Sequence, residues 1–162
     1  MSKHHPFRHL AHLPSSRDHP IVFLTVVTYA RRRLLATGFA HQLLHGIWQR
    51  SASANGWLVG DYILMPDHVH LFARPATEAD TLSTWVKMWK SVSSRQLKQS
   101  EGVSTSIWQE DYFDRFLRSN ESYEEKWRYV HDNPVRAGLV TDANSWRYCG
   151  RIFDLGDVGG TG

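Results

Sequence analysis

Residues 57–74 read WLVGDYILMPDHVHLFAR, and the way this stretch folds decides the architecture around it. Two apolar runs, 57–65 and 68–74, flank the dipeptide Pro66-Asp67. Proline fixes φ and aspartate bonds its own backbone in turns, so the dipeptide reads as a reversal. A connection this short joins neighbouring strands only as an antiparallel hairpin.

The second strand carries the chemistry. Side chains two apart on a strand share a face, so His68 and His70 project together with Phe72, while Val69, Leu71 and Ala73 point the other way. Two adjacent imidazoles are costly to bury unless each has a partner, and a divalent metal supplies one partner for both. Imidazole suits Mn, Fe, Co, Ni or Zn well and Mg less well. The bland alternative is a solvent-facing pair on an open sheet face. The apolar flanks on both sides weigh against it. A histidine-triad hydrolase would need a third histidine at position 72, which is Phe72.

Outward from the hairpin, 21–30 (IVFLTVVTYA) is β-branched and reads as a buried strand, leaving through Arg31, Arg32 and Arg33. Residues 39–53 read as a helix with an apolar stripe of Phe39, Leu43, Leu44, Ile47 and Trp48, ended by Asn55-Gly56. A second helix is expected over 77–100, burying Leu82, Trp85, Val86, Trp89 and Val92, with Lys87, Lys90 and Lys98 largely off that stripe. Residues 106–119 suit a fourth strand with irregular ends. A third helix over 121–132 takes Asn120 as N-cap and Glu121, Glu124 and Glu125 in its first turn. Pro134 breaks or kinks it, and a further turn ends at Gly138. The order β-α-β-β-α-β-α predicts an α+β fold of ferredoxin-like or RRM-like plan. It has an antiparallel sheet of about four strands, helices on one face and a C-terminal tyrosine-bearing helix. The folded domain is placed at 20–150, between a polar arm at 1–19 with five histidines and a Gly-rich tail at 151–162, both expected to be flexible.

Composition bounds the function. With 162 residues, 41% hydrophobic and 22% charged, the chain suits one globular domain. The lone Cys149 rules out an internal disulfide and a cysteine zinc site. No signal-peptide core or membrane-length run is visible, so a cytoplasmic, nucleoid-associated protein is expected. The net charge is only +3, but basic clusters interleaved with seven tryptophans leave two readings open, nucleic-acid contact or an aromatic core within a solvated surface.

MPDHVHLF, followed much later by YFDRFLRSNESYEEKWRYVHDNPVRAGLV, resembles the single-tyrosine HUH transposases, and more closely their REP-associated tyrosine transposase branch. The resemblance covers residues 20–148, and YVHDNPVRAGLV carries the branch assignment. It implies cleavage and rejoining of single-stranded or hairpin DNA through a 5′-phosphotyrosine, with Mg²⁺ or Mn²⁺ as cofactor. It maps the nucleophile onto Tyr129, with Tyr123 in reserve, and the metal ligands onto His68, His70 and Asn133. On a continuous helix Tyr129 and Asn133 share a face. The rival roles are an aromatic packing its helix onto the sheet for Tyr129 and a pre-proline turn residue for Asn133.

His131 faces away from Tyr129. Asp67 is a turn residue that can also orient an imidazole. Among the remaining tyrosines, Tyr29 and Tyr62 read as sheet residues and Tyr148 as part of the tail. Candidate DNA contacts are Arg31, Arg32, Arg33, Lys87, Lys90, Arg95, Lys98 and Arg115, each weighed against a solvated or ion-paired surface role. A non-catalytic hairpin-binding module and a replication-type nickase are the alternatives. A homodimer sharing tyrosine helices between subunits is compatible with the same residues.

Overall fold

The computed structural model describes residues 21–117 and 123–155. Five strands form one sheet: β1 (Val22–Val27), β2 (Trp57–Met65), β3 (His68–Pro75), β4 (Phe113–Phe116) and β5 (Cys149–Arg151). Their spatial order is β4-β1-β3-β2-β5, with every neighbouring pair antiparallel. Four helices accompany them: α1 (Gly38–Ala54), α2 (Leu82–Glu101), α3 (Tyr123–His131) and the single turn α4 (Asn133–Arg136). The α+β plan is as expected, with one more strand. Three residues with no β-branched run leave almost no periodic signal for β5. It exists because β2 offers a free edge, pairing Asp61 with Arg151, Tyr62 with Gly150 and Ile63 with Cys149.

The two sheet faces differ. Val22, Leu24, Val26, Val69, Leu71 and Ala73 pack beneath α1 and α2 in the main core. The tryptophans fill it. Trp48, Trp57, Trp85 and Trp89 are wholly buried, and Trp57 stacks on Trp85 with centroids 5.0 Å apart. The indole N–H of Trp85 donates to Ser51 and that of Trp108 to Ser93, which accounts for two buried serines. Of the two compositional readings, core filling therefore holds for these side chains. Phe39 is 45% exposed and leaves the expected α1 stripe, where Ala40 is buried instead. Thr37 caps α1 from the preceding position, its hydroxyl accepting from the Ala40 N–H.

On the opposite face, α3 lies over Phe23, Ile63 and Phe72 through Trp127, Val130 and Tyr123. A register shift between Val59 and Tyr62 interrupts the β2–β3 ladder. It leaves Gly60 where a Cβ would lie 2.7 Å from Leu155 and from the Tyr123 hydroxyl, so only glycine fits. Beside it, Asp61 is buried. Its carboxylate accepts from Arg151 at 3.2 Å and from the Tyr123 hydroxyl at 2.8 Å, while its backbone N–H donates to that hydroxyl at 3.1 Å. The bulge thus ties β5 and the start of α3 to the sheet. Packing continues through Ile152 to Leu155, which is 2% exposed. The expected cap Asn120, Glu121, the 1–19 arm and residues 156–162 lie outside the described residues.

Candidate active site

Register places the histidine pair. Thr25 of β1 stands opposite His70 of β3, and Val27 opposite His68. The Thr25 hydroxyl is 2.9 Å from His70 Nδ1. His68 Nδ1 is 2.8 Å from Asp67 Oδ1, and the other Asp67 oxygen accepts from Arg31 at 3.0 Å. Burial alone would raise the Asp67 carboxyl, but hydrogen bonds from His68 and Arg31 outweigh it and hold the carboxyl below its usual range. Asp67 therefore does both jobs weighed for it, turn residue and imidazole orienter. With the Nδ1 side of each ring engaged, the Nε2 atoms are the ring nitrogens that remain for a ligand. The rings stand edge to face with centroids 4.8 Å apart.

His70 is enclosed. Phe23 stacks on it at 5.2 Å and 18°, and the Lys126 ammonium of α3 lies 4.9 Å from the Phe23 centroid. Burial first, then positive charge on His68, Lys126 and Arg136, pushes its pKa down to about 3. At neutral pH it is a neutral imidazole, the form that binds a metal. Among the described residues no three His, Cys, Asp or Glu side chains cluster as a metal site.

The structure separates the two helix tyrosines. Tyr123 stacks on Phe72 at 4.5 Å, and burial raises its phenol pKa further above the ordinary value. It is a structural residue tied to Asp61. Tyr129 is 63% exposed on α3, with the Arg136 guanidinium 4.0 Å from its ring centroid. The helix does not continue unbroken to Asn133. It ends at His131, the Asp132 N–H turns back to the Tyr129 carbonyl, and Pro134 sits in the first turn of α4. Arg136 then donates to the Asn133 carboxamide oxygen, so one guanidinium touches both residues. His131 packs beside Trp127.

Sequence reading missed Arg136, Thr25, Phe23 and Lys126. Arg136 lies seven residues from Tyr129 but across the break between α3 and α4, so no helical spacing flags it. Thr25 and Phe23 needed the β1–β3 register, which no local pattern states. Another histidine pair, His41 and His45 on α1, converges on the Tyr62 hydroxyl at 2.7 and 2.8 Å; those nitrogens are already partnered.

The basic candidates divide. Arg32, Arg33, Lys87 and Arg95 are exposed and Lys98 is half-buried. Arg31 is tied to Asp67. Lys90 donates to the carbonyls of Gln109 at 2.6 Å and Glu110 at 3.0 Å, and burial lowers its pKa to about 8. It fastens the 106–110 segment to α2, a structural role rather than the surface contact expected. Arg115 is exposed on β4 opposite Phe23, which places it on the histidine face, as is Phe113 opposite Thr25.

Known proteins share this fold and align with much of this sequence. A REP-associated tyrosine transposase of Escherichia coli K12 is 28% identical over 131 residues, 78% of this chain and 73% of that protein. The solved structure of a REP-associated tyrosine transposase bound to a REP hairpin superposes with a TM-score of 0.69 at 19% identity, covering 96% of this chain and 95% of that one. A crystal structure from Deinococcus radiodurans R1 gives a TM-score of 0.53 at 20% identity, covering 82% and 97%. The family model for IS200-like transposases matches residues 19–133, and the chain belongs to that family.

Proposed function

We propose that this protein cuts and rejoins single-stranded DNA beside a hairpin of the REP type. Tyr129 is the nucleophile, and a divalent ion, Mg²⁺ or Mn²⁺, is held by His68, His70 and Asn133. The carrying observation is the Nδ1-anchored histidine pair on the face where α3 is docked, with Tyr129 left exposed beside Arg136.

The Tyr129 oxygen attacks phosphorus, loses its phenolic proton and becomes bonded to the 5′ phosphate, while the 3′ oxygen leaves as a hydroxyl. Attack by a 3′ hydroxyl on that phosphotyrosine reverses the exchange and reseals a strand without ATP. The ion, when bound, polarises a phosphoryl oxygen as a Lewis acid. Asp67, a carboxylate that only accepts, fixes the His68 tautomer, Thr25 holds the His70 ring in place, and Arg136 stands where it can pair with a phosphate oxygen. Asn133 keeps a lone pair for a ligand role even while Arg136 occupies its oxygen. α3 lies on its own sheet, through Tyr123 to Asp61 and Lys126 over Phe23, and this supports a site formed within one chain rather than one shared across a homodimer. A DNA-processing role supports a cytoplasmic, nucleoid-associated protein.

Incubation with a hairpin oligonucleotide carrying a single-stranded flank, in Mg²⁺ or Mn²⁺, should yield a covalent protein–DNA band. The band should vanish with chelator and in Tyr129→Phe. Hairpin binding without a band under any metal would favour the non-catalytic module instead.

A further inference from the structure

A groove of about 520 Å³ runs along α2 on the side away from Tyr129's helix, between α2 and the 106–110 segment. Lys87, Ser91, Ser94 and Lys98 line one wall. They recur in steps of four, three and four, one face of the helix, spanning about 16 Å. The opposite wall carries a single acid, Glu110, so the lining is net positive. Trp108 lies in the floor, 5% exposed with its N–H on Ser93, and is not available to stack. Lys90 braces the far wall by its two carbonyl bonds, holding the groove open in a fixed shape.

Tyr29 stands at the mouth, 47% exposed. Its backbone N–H donates to the Ile107 carbonyl, which locks it to the groove wall. The next two residues, Ala30 and Arg31, have φ of 57° and 54°, the left-handed region that non-glycine residues avoid. Strain of this kind persists only where the surroundings over-determine it. Here it turns the chain so that Tyr29 faces the groove while Arg31 reaches Asp67 and, through it, His68. The groove mouth and the histidine pair are therefore two ends of one short rigid connection.

We propose that this groove is a binding site for a single strand of DNA continuing from the strand held at the histidines, with Tyr29 stacking on a base and Lys87 and Lys98 meeting phosphates. The ligand class rests on the reading of the site as a DNA nickase, but the groove does not depend on the chemistry. An aromatic ring beside a cationic, hydroxyl-lined track is the general solution for an unpaired strand. The length of the lysine stripe matches about five stacked nucleotides.

The test is fluorescence anisotropy in chelator, with the full chain and two probes, a blunt hairpin and the same hairpin bearing an oligothymidine extension. Wild type should prefer the extended probe. Tyr29→Ala should weaken binding of that probe roughly tenfold to a hundredfold. The double variant Lys87→Gln/Lys98→Gln should flatten its log affinity against log salt by about 1.4. Both should leave the blunt hairpin unchanged and, being altered at surface positions, keep the wild-type melting temperature. Equal affinity of wild type and variants for the extended probe overturns the site. So does equal weakening on both probes, which would mean that the groove holds duplex. Loss of the extension effect in these variants with no covalent band from wild type would leave the groove standing and remove the nickase reading. A covalent band with no extension effect would do the reverse.

Discussion

Exchanging the roles of the two helix tyrosines gives the sharpest test of the site. The Tyr123 hydroxyl makes two hydrogen bonds to Asp61, donating to its carboxylate and accepting from its backbone N–H. Asp61 is 4% exposed, so water cannot replace either bond. A hydrogen bond to a charged group is worth about 1.5–3 kcal/mol, and a buried N–H left unsatisfied costs about 1–3 kcal/mol more. Arg151 remains on the carboxylate and softens the loss, so Tyr123→Phe should cost about 3 kcal/mol. For a chain of this size that lowers Tm by about 6–12 °C. Tyr129 is 63% exposed, and Tyr129→Phe should change stability by less than about 0.5 kcal/mol. Urea unfolding followed by tryptophan fluorescence measures the stabilities, and the covalent DNA band measures the chemistry at a temperature where both variants are folded. Tyr123→Phe should be destabilised and active, Tyr129→Phe stable and inactive. A folded Tyr123→Phe that forms no band, beside a Tyr129→Phe that does, would refute the assignment of roles.

Two further outcomes follow from the histidine pair. His70 titrates near 6.5 when unfolded but at about 3 in the native protein, so the unfolded chain binds the extra proton between those values. Stability contributed by the neutral ring is complete above pH 6.5 and is lost as pH falls. The loss is about 2 kcal/mol at pH 5, measured by urea unfolding at pH 5 and 7.5, and it should shrink in His70→Gln; an equal pH effect in both proteins would contradict the burial argument. Mn²⁺ at a hundredfold excess over its dissociation constant should stabilise the protein by about 2.7 kcal/mol, seen as a rise in Tm. The rise should disappear in His68→Ala and persist in Tyr129→Phe; persistence in both histidine single variants would place the ion elsewhere.

The hairpin at 57–74 was legible because its signals are local: two apolar runs, a Pro-Asp reversal and a strict alternation that sends His68 and His70 to one face. The helices were legible from their stripes, though Phe39 is exposed because the buried face of α1 runs through Ala40, Leu44, Ile47, Trp48 and Ser51. What resisted reading was long-range. Thr25 meets His70 across 45 residues and Tyr123 meets Asp61 across 62; the first depends on the β1–β3 register and the second on the bulge at Gly60. β5 resisted for a related reason. A three-residue strand is specified by the edge it joins, not by its own sequence. Between Tyr129 and Asn133 the spacing suggested one helical face, yet Pro134 divides the segment and it is Arg136 that bridges the two.

The precision of the histidine pair comes from residues that never touch it. Alternation along β3 means that the face bearing His68 and His70 is set by the burial of Val69, Leu71 and Ala73 on the other side. Slipping the strand by one residue would bury both imidazoles under α1 and α2 and expose three apolar side chains. The tryptophan-rich core makes that slip prohibitive. A dry, rigid layer on one side frees the opposite side to hold groups that are poor at stabilising a fold: a neutral imidazole kept from its proton, a carboxylate shared with an arginine, and a phenol left to solvent. α3 meets that face through Tyr123, Trp127 and Val130 and leaves Tyr129 outside the packed surface. Docking and chemistry are thereby assigned to different side chains of one short helix, which is why the roles of its two tyrosines can be separated by experiment.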